Sequence, residues 1–149
     1  MREDGSRFES EILRREGYAL ALSIDHPFAR EAVIPAESLA DNVMIVRRHC
    51  EVLAETSQHF TSRGVRPFFA ARTTSDDRAL ALVAAGMGVT VMPAGFAAQG
   101  VARPRLAGFD LQRDIGIMYA THYGRPEGLE DPVLAVLRRA ISGKAVAKQ

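Results

Sequence analysis

Hydrophobic positions along the chain form short runs that alternate with amphipathic segments. Three runs rich in β-forming residues predict strands: "VMIVR" at 43–47, "VRPFFAA" at 65–71 and "VTVMP" at 89–93. Between them, apolar and polar residues are spaced as on a helix from 50 to 62 and again in the stretch that ends at Gly86. Strand, helix, strand, helix, strand with short connections indicates an α/β fold in which helices cover a mostly parallel sheet.

Segments on either side extend this pattern. "YALALS" predicts a strand over 18–23, and "IPAESLAD" predicts a short helix with Pro35 in its first turn. "FAAQGVARPRLAGF" predicts a loop with at most one helical turn. The strand "DIGIMYATHY" and the helix "EDPVLAVLRRAIS" follow. In that helix Asp131 is the expected cap, and one face should carry Val133, Leu134, Leu137 and Ile141. Residues 144–149 are expected to be a disordered tail.

Composition narrows the class of protein. The chain has 149 residues, 47% of them hydrophobic, which is enough for one domain with a core. No apolar run approaches the roughly 18 residues that span a membrane, and the charged start lacks the apolar core of a secretory signal. With a single cysteine, these features predict a soluble, cytoplasmic protein. A net charge of +1 argues against gripping nucleic acid through phosphates.

The tripeptide Gly86-Met87-Gly88 invites comparison with a phosphate-binding loop. A dinucleotide loop follows a strand and opens a helix, so that the phosphate meets the positive end of the helix dipole. Here the order is reversed, because the helix precedes the glycines and the strand follows them. The pattern favours a glycine C-cap with close packing of strand on helix, and it predicts no nucleotide and no other cofactor.

Other reactive side chains give weak signals. His49 and Cys50 are adjacent, but neighbours in sequence point in different directions, so a half-buried thiol is favoured over a nucleophile. His26, His59 and His122 show no metal-ligand spacing with each other or with Cys50, which predicts no metal site. We therefore expect no catalytic residues. A cysteine and histidine enzyme remains as an alternative.

Polar residues at the predicted strand ends give the strongest chemical signal. Thr73, Thr74 and Ser75 follow one strand and open a helix, where hydroxyls and free N–H groups can seat an anion. They are candidates for binding and equally for plain helix capping. Three basic residues end another strand on the same side of the sheet: Arg47, Arg48 and His49. Together these side chains could surround a small carboxylate.

The order of segments resembles a known family. "GYALALSIDHPFA", "IPAESLADNVMIV", "TTSDDRALALVAAGMGVTVMP", "GVARPRLAGFD" with "RDIGIMYA", and "PVLAVLRRAI" are similar to segments of the effector-binding domain of LysR-type transcriptional regulators. The resemblance covers residues from about 10 to 143. It rests on the order and spacing of these five segments rather than on one motif.

The resemblance implies a three-layer αβα fold of the periplasmic-binding-protein type 2, with a small-molecule effector in a cleft between two subdomains. Residues from about 23 to 112 correspond to the second subdomain and 115–143 to the return to the first. It also implies that Arg72, Thr73 and Thr74 contact the effector and that Pro93 lies near the cleft or hinge.

The sequence lacks two parts of the family pattern. Neither the winged helix-turn-helix nor the opening βαβα units of the first subdomain can be found, so the first subdomain is expected to be incomplete. We expect a sensor domain for a small, anionic effector that does not bind DNA by itself. Since the elements at 115–142 should leave apolar faces exposed, we also expect a dimer. An interaction module or inactive remnant without a ligand is the alternative.

Overall fold

The structure is a computed structural model that describes residues 8–120 and 131–143. The predicted tail at 144–149 lies outside the described residues. The strands are β1 (Phe8–Ser23), β2 (Val33–Ile34), β3 (Val43–Arg47), β4 (Phe68–Thr73), β5 (Thr90–Pro93), β6 (Val101–Ala102), β7 (Arg105–Leu106) and β8 (Gln112–Ala120). The helices are α1 (Leu53–Thr61), α2 (Asp76–Ala84) and α3 (Pro132–Gly143), and Ala36–Leu39 form a 3₁₀ turn. None of these helices is long and apolar enough to cross a membrane.

The chain divides into two compact units. The central unit is Gly17–Leu111, and the described part of the terminal unit is residues 8–16, 112–120 and 131–143. β1 contributes its first half to the terminal unit and its second half to the central unit.

In the central unit, β3 has parallel neighbours on both sides, and the helices cover this part of the sheet. β3 pairs with β4 in parallel, with Arg47 opposite Thr73. Val89, just before β5, bridges Met44 in parallel, and its carbonyl accepts a hydrogen bond from the Ile45 N–H at 2.8 Å. β5 then pairs antiparallel with the second half of β1. The carboxyl ends of β3, β4 and β5 therefore lie at one edge of the sheet.

Two helices cover opposite faces of this sheet. Met44 packs with Val52 and Phe60, which belong to α1 and the residue that precedes it. Its neighbour Ile45 points the other way and packs with buried residues of α2, Ala79, Leu80 and Val83. Alternation along β3 thus gives two cores, one on each side of the sheet. The central unit accordingly has the predicted three layers.

The Gly86-Met87-Gly88 turn has the structural role that its sequence indicates. Gly86 has φ +74° and follows α2, as a left-handed C-cap does. A Cβ on Gly88 would lie 2.8 Å from the Val43 carbonyl oxygen, closer than real contacts allow. Gly88 is therefore needed for close packing against the neighbouring strand, β3, rather than against the helix.

The terminal unit is held by ion pairs between its elements. β8 pairs with β1, and a Cβ on Gly116 would overlap the Glu11 carbonyl oxygen. Arg15 Nε donates to Asp114 at 2.6 Å, and Arg113 donates to Glu16 at 2.6 Å. The hydrogen bond from Arg15 lowers the pKa of the Asp114 carboxyl. Arg138 of α3 donates to Glu11 at 2.9 Å.

The large apolar side chains of α3 lie on one side of the helix. Leu134 and Ile141 are half-buried, whereas Val133, Val136 and Leu137 are exposed, by 65%, 61% and 44%. Val133, Leu134, Leu137 and Ile141 are spaced on one face of α3, as predicted, and Val133 and Leu137 on that face are exposed. The expected cap is present, since Asp131 Oδ1 accepts from the Val133 N–H at 2.8 Å.

Most of the predicted elements are present, with two corrections. β1 begins at Phe8, ten residues before the predicted start, because its charged first half pairs with β8. The predicted loop over 96–109 contains β6 and β7, each two residues long. β6 pairs with β1 and β7 with β2, so long-range pairing imposes strand geometry where the local sequence gives no strand signal.

Candidate functional site

The predicted site residues meet at one edge of the central unit. Arg47 ends β3, Arg72 and Thr73 end β4, and Pro93 ends β5, while Ser75 caps α2. We call this set the strand-end site; its other members are Arg48, His49 and Thr74. The backbone joins the first two strand ends, because the Arg48 N–H donates to the Thr73 carbonyl at 2.9 Å.

The start of α2 is shaped by two hydroxyls. Thr73 Oγ1 accepts from the Ser75 N–H at 3.0 Å, and Ser75 Oγ accepts from the Arg78 N–H at 3.3 Å. These bonds fix the turn between β4 and α2 and give Ser75 the capping role that the sequence allowed. Thr74 lies between them with an exposed side chain. The Thr74 hydroxyl and the first-turn N–H groups of α2 thus lie at the strand ends, where the helix dipole favours an anion.

Arg47 is buried at this edge and already has protein partners. Its Nε donates to Asp76 Oδ1 at 2.6 Å and its Nη1 donates to the Val91 carbonyl at 3.2 Å. The guanidinium carbon also lies 5.7 Å from the centre of the Phe96 ring. Arg47 therefore joins β3, α2 and β5, and it balances the charge of a carboxylate in the first turn of α2.

The other basic side chains at this edge are exposed. Arg48, His49 and Arg72 lie on the surface. Arg72 is opposite Val46 in the β3–β4 register, one position from the pair formed by Arg47 and Thr73. Arg48 thus follows the end of β3, and Arg72 lies next to Thr73 at the end of β4. This arrangement can bind a small anion by charge-assisted hydrogen bonds.

Pro93 differs from these residues because its side chain is fully buried. It begins a turn in which the Phe96 N–H donates to the Pro93 carbonyl at 3.1 Å. The predicted role of Pro93 in effector binding stays a prediction. In the structure the residue positions the end of β5 and the turn that follows.

Sequence reasoning missed two residues that organise this edge. Arg103 is half-buried and donates to carbonyl oxygens of β1, of β5 and of the turn after it: Ala19, Leu20, Met92, Pro93 and Phe96. Phe96 supplies the ring beneath Arg47. Neither residue could be recognised from the sequence, because both lie in a segment without periodicity and act through contacts distant in sequence.

The residues weighed as a nucleophile or as metal ligands are not assembled into such a site. His49 is exposed, Cys50 is half-buried, and the structure records no hydrogen bond between the Cys50 thiol and a histidine among the described residues. His59 packs against Phe60 and Phe109 instead. Within residues 8–120 and 131–143 there is no group of three or more histidine, cysteine, aspartate or glutamate side chains able to hold a metal ion.

Comparison with known proteins identifies the fold family. The family model described as "LysR substrate binding domain" matches residues 1–142. HinK, a LysR family transcriptional regulator from Pseudomonas aeruginosa, has a TM-score of 0.71 and 19% identity, over 98% of this chain and 52% of HinK. The chain therefore spans about half the length of that regulator. Comparison with curated proteins gave no match.

Two further solved structures are regulatory domains with bound small molecules. The regulatory domain of Synechocystis PCC6803 CcmR, in complex with 2-PG, has a TM-score of 0.68 and 16% identity, over 95% of this chain and 70% of that domain. The BenM effector binding domain, with its effector benzoate, has a TM-score of 0.59 and 18% identity, over 100% of this chain and 69% of that domain. The predicted periplasmic-binding-protein-like α/β fold is confirmed.

Proposed function

Since the chain belongs to the LysR substrate-binding domain family, we propose that it is a sensor domain that binds a small organic anion at the strand-end site. One observation carries this proposal: the carboxyl ends of β3 and β4, the hydroxyl-bearing start of α2 and two exposed arginines meet at one edge of the central unit. In open α/β sheets, ligands bind beyond the carboxyl ends of the strands.

Each residue of the site has a distinct role in this proposal. Arg48 and Arg72 supply the positive charge, and the Thr74 hydroxyl and the first N–H groups of α2 supply directional donors. His49 lies at the rim. Arg47 and Pro93 hold the three strand ends in place, because both are buried and Arg47 is paired with Asp76. Thr73 and Ser75 shape the turn through their own hydrogen bonds.

The related domains support an organic acid as the ligand class. The BenM domain is described with benzoate, which combines a carboxylate with an apolar body. A site with exposed arginines beside hydroxyls suits that carboxylate. We further propose that the chain acts as a sensor rather than an enzyme. Any response at DNA would then pass through a DNA-binding region of a longer regulator, and not through this chain alone.

A thermal-shift screen of small carboxylates, with benzoate among them and benzamide as its neutral control, tests the binding role. At a hundredfold excess over Kd, a bound acid should stabilise the protein by about 2.7 kcal/mol. Arg72→Gln should weaken binding of the active acid by at least about tenfold, since hydrogen bonds to charged groups contribute about 1.5–3 kcal/mol. Arg30→Gln, at an exposed arginine away from the site, is the matched control. An acid that stabilises the Arg72→Gln variant as much as the parent would refute this assignment.

We also propose that the protein self-associates through its terminal unit. The outward face of α3 exposes Val133, Val136 and Leu137, and β8 exposes Met118 by 67%. Apolar side chains exposed in such numbers are typical of interaction surfaces. Light scattering at micromolar concentration should therefore report a dimer. Val136→Asp should shift it towards the monomer, and Ser142→Asp, at a polar position of the same helix, should not. A monomeric parent protein would contradict the proposal.

A further inference from the structure

A cavity lies in the central unit between α1 and the sheet. It has a volume of about 370 Å³, within the usual range for small-molecule sites. Its walls come from β3, β4, β5 and α1 and from the segments that flank the helix: Met44, Ile45, Val46, Arg47, Cys50, Leu53, Thr56, Ser57, Phe60, Thr61, Arg66, Pro67, Phe69, Thr90 and Val91. Of the strand-end site only Arg47 is among them. We call this space the α1 cavity.

The cavity exists because of the side chains that α1 turns towards the sheet. Phe60 is buried and fills one part of the interface. Ser57 and Thr61 lie on one side of the helix, four residues apart, and both line the cavity. Where a helix covers a sheet, such positions normally carry large apolar residues. The two short side chains leave the space between α1 and the β3–β4 pair unfilled.

The lining combines an apolar body with a few polar groups. Met44, Val46, Leu53 and Phe69 give apolar surface on both the strand side and the helix side. The Thr56 hydroxyl is already committed, since it donates to the Val52 carbonyl at 2.7 Å. For the Ser57 hydroxyl the structure records no hydrogen-bond partner among the described residues. An organic ligand could accept a hydrogen bond from this hydroxyl.

One charged group stands at the rim. Arg66 lines the cavity and is exposed. No carboxylate of the described residues lies within 4 Å of its guanidinium. A ligand with an apolar body inside and an anionic group at the rim would therefore meet both the apolar lining and a cation. A neutral ligand would contact only the apolar lining.

We propose that the α1 cavity binds a small molecule with an apolar body and one carboxylate, at a site separate from the strand ends. Solvent reaches the cavity, since Ser57, Thr61, Arg66 and Phe69 of its lining are exposed. A molecule of this class would remove the apolar part of the lining from water, which is favourable. The proposal is independent of the strand-end assignment, since a ligand can occupy either site without the other.

Octanoate, with 1-octanol as its neutral counterpart, is a suitable probe. In NMR spectra of protein labelled at the methionine methyl groups, octanoate should shift the Met44 signal. The signals of Met87 and Met118, which lie outside the cavity, should stay unchanged. Octanoate should also slow alkylation of Cys50, the only cysteine of the chain. An unshifted Met44 signal, or Cys50 alkylation that saturating octanoate does not slow, would overturn the proposal.

Four variants sharpen the test. Ser57→Leu should fill the space and weaken octanoate binding by at least about tenfold, and Ala54→Leu, on the same helix but outside the cavity, should not. Arg66→Gln should weaken octanoate by about threefold and leave octanol unchanged, as expected for an exposed ion pair. Thr74→Val, in the strand-end site, should leave octanoate binding intact. The circular-dichroism spectrum of Ser57→Leu must first show that the variant is folded. Equal octanoate affinity in this folded variant and the parent would then refute the cavity site.

Discussion

The central unit holds two clusters of buried apolar side chains, whereas α3 of the terminal unit has no buried residue. The central unit is stabilised mainly by removing apolar surface from water. The terminal unit depends more on ion pairs among Glu11, Glu16, Arg113 and Arg138, and it leaves apolar side chains exposed. The side chains of these pairs are only 8% to 26% exposed. The unit that carries the strand-end site is thus held mainly by apolar packing, and the terminal unit more by pairing of charges.

The largest contrast should come from truncating one apolar side chain in each unit. Phe60 is 2% exposed, so Phe60→Ala should lower the free energy of unfolding by about 3–5 kcal/mol. Ile12, in the part of β1 that belongs to the terminal unit, is 57% exposed, and Ile12→Ala should cost less than about 1 kcal/mol. Urea unfolding measures both. Equal losses would show that the terminal unit has a core that the structure does not show.

A smaller loss is expected from the ion pair that joins α2 to β3. In Asp76→Asn the buried Arg47 guanidinium loses its charged partner. We expect a loss of about 1–2 kcal/mol, less than for a fully buried pair because the Asp76 side chain is 44% exposed. Asp77→Asn removes a neighbouring carboxylate from the same helix turn and is the matched control. If both variants lose the same stability, the helix dipole and not Arg47 accounts for the effect.

A still smaller and local effect is expected in the terminal unit. Glu11 accepts hydrogen bonds from Tyr119 at 2.8 Å and from Arg138 at 2.9 Å. Glu11→Gln should cost about 1 kcal/mol and speed amide exchange in β8 more than in β3. Glu9→Gln, at an exposed position of β1, should leave both rates unchanged. Faster exchange in β3 after Glu11→Gln would mean that the two units do not open separately.

The smallest expected effect is a pH dependence located in the central unit. Burial lowers the pKa of the His59 imidazole, and the nearby Arg63 guanidinium lowers it further. The unfolded chain therefore takes up this proton at higher pH than the folded one. The free energy of unfolding should not be affected by His59 above about pH 6.5, and it should fall as the pH drops below that value. His59→Leu should flatten this part of the profile, and His49→Gln, at an exposed site, should not. A profile with the same slope in His59→Leu would assign the effect to other groups.

How much the sequence predicts depends on whether a feature is local or long-range. The alternation over 43–93 predicted β3, α1, β4, α2 and β5, because each apolar run and each cap is local in sequence. The capping role of Ser75 and the left-handed Gly86 followed from the same reasoning. The first half of β1, as well as β6 and β7, could not be predicted, since they are strands only through partners far away in the chain.

In the candidate site, too, local features could be predicted from the sequence and long-range contacts could not. The convergence of Thr73, Thr74 and Ser75 with the end of β3 was predicted from parallel strand order, and β3 and β4 do pair in that way. The sequence could not indicate that Arg47 is buried against Asp76 and Phe96, because this depends on packing across three elements. The α1 cavity could not be predicted from the sequence either, because it depends on how side chains distant in sequence pack in three dimensions.

Backbone amide resonances of residues 74–77, observed during titration with a panel of small carboxylates, test the strand-end site most directly. The account predicts that at least one acid shifts these amides, that its carboxamide does not, and that Arg72→Gln weakens the response. If the whole panel leaves these amides in place, or shifts only resonances elsewhere in the protein, the strand ends of the central unit are not the effector site.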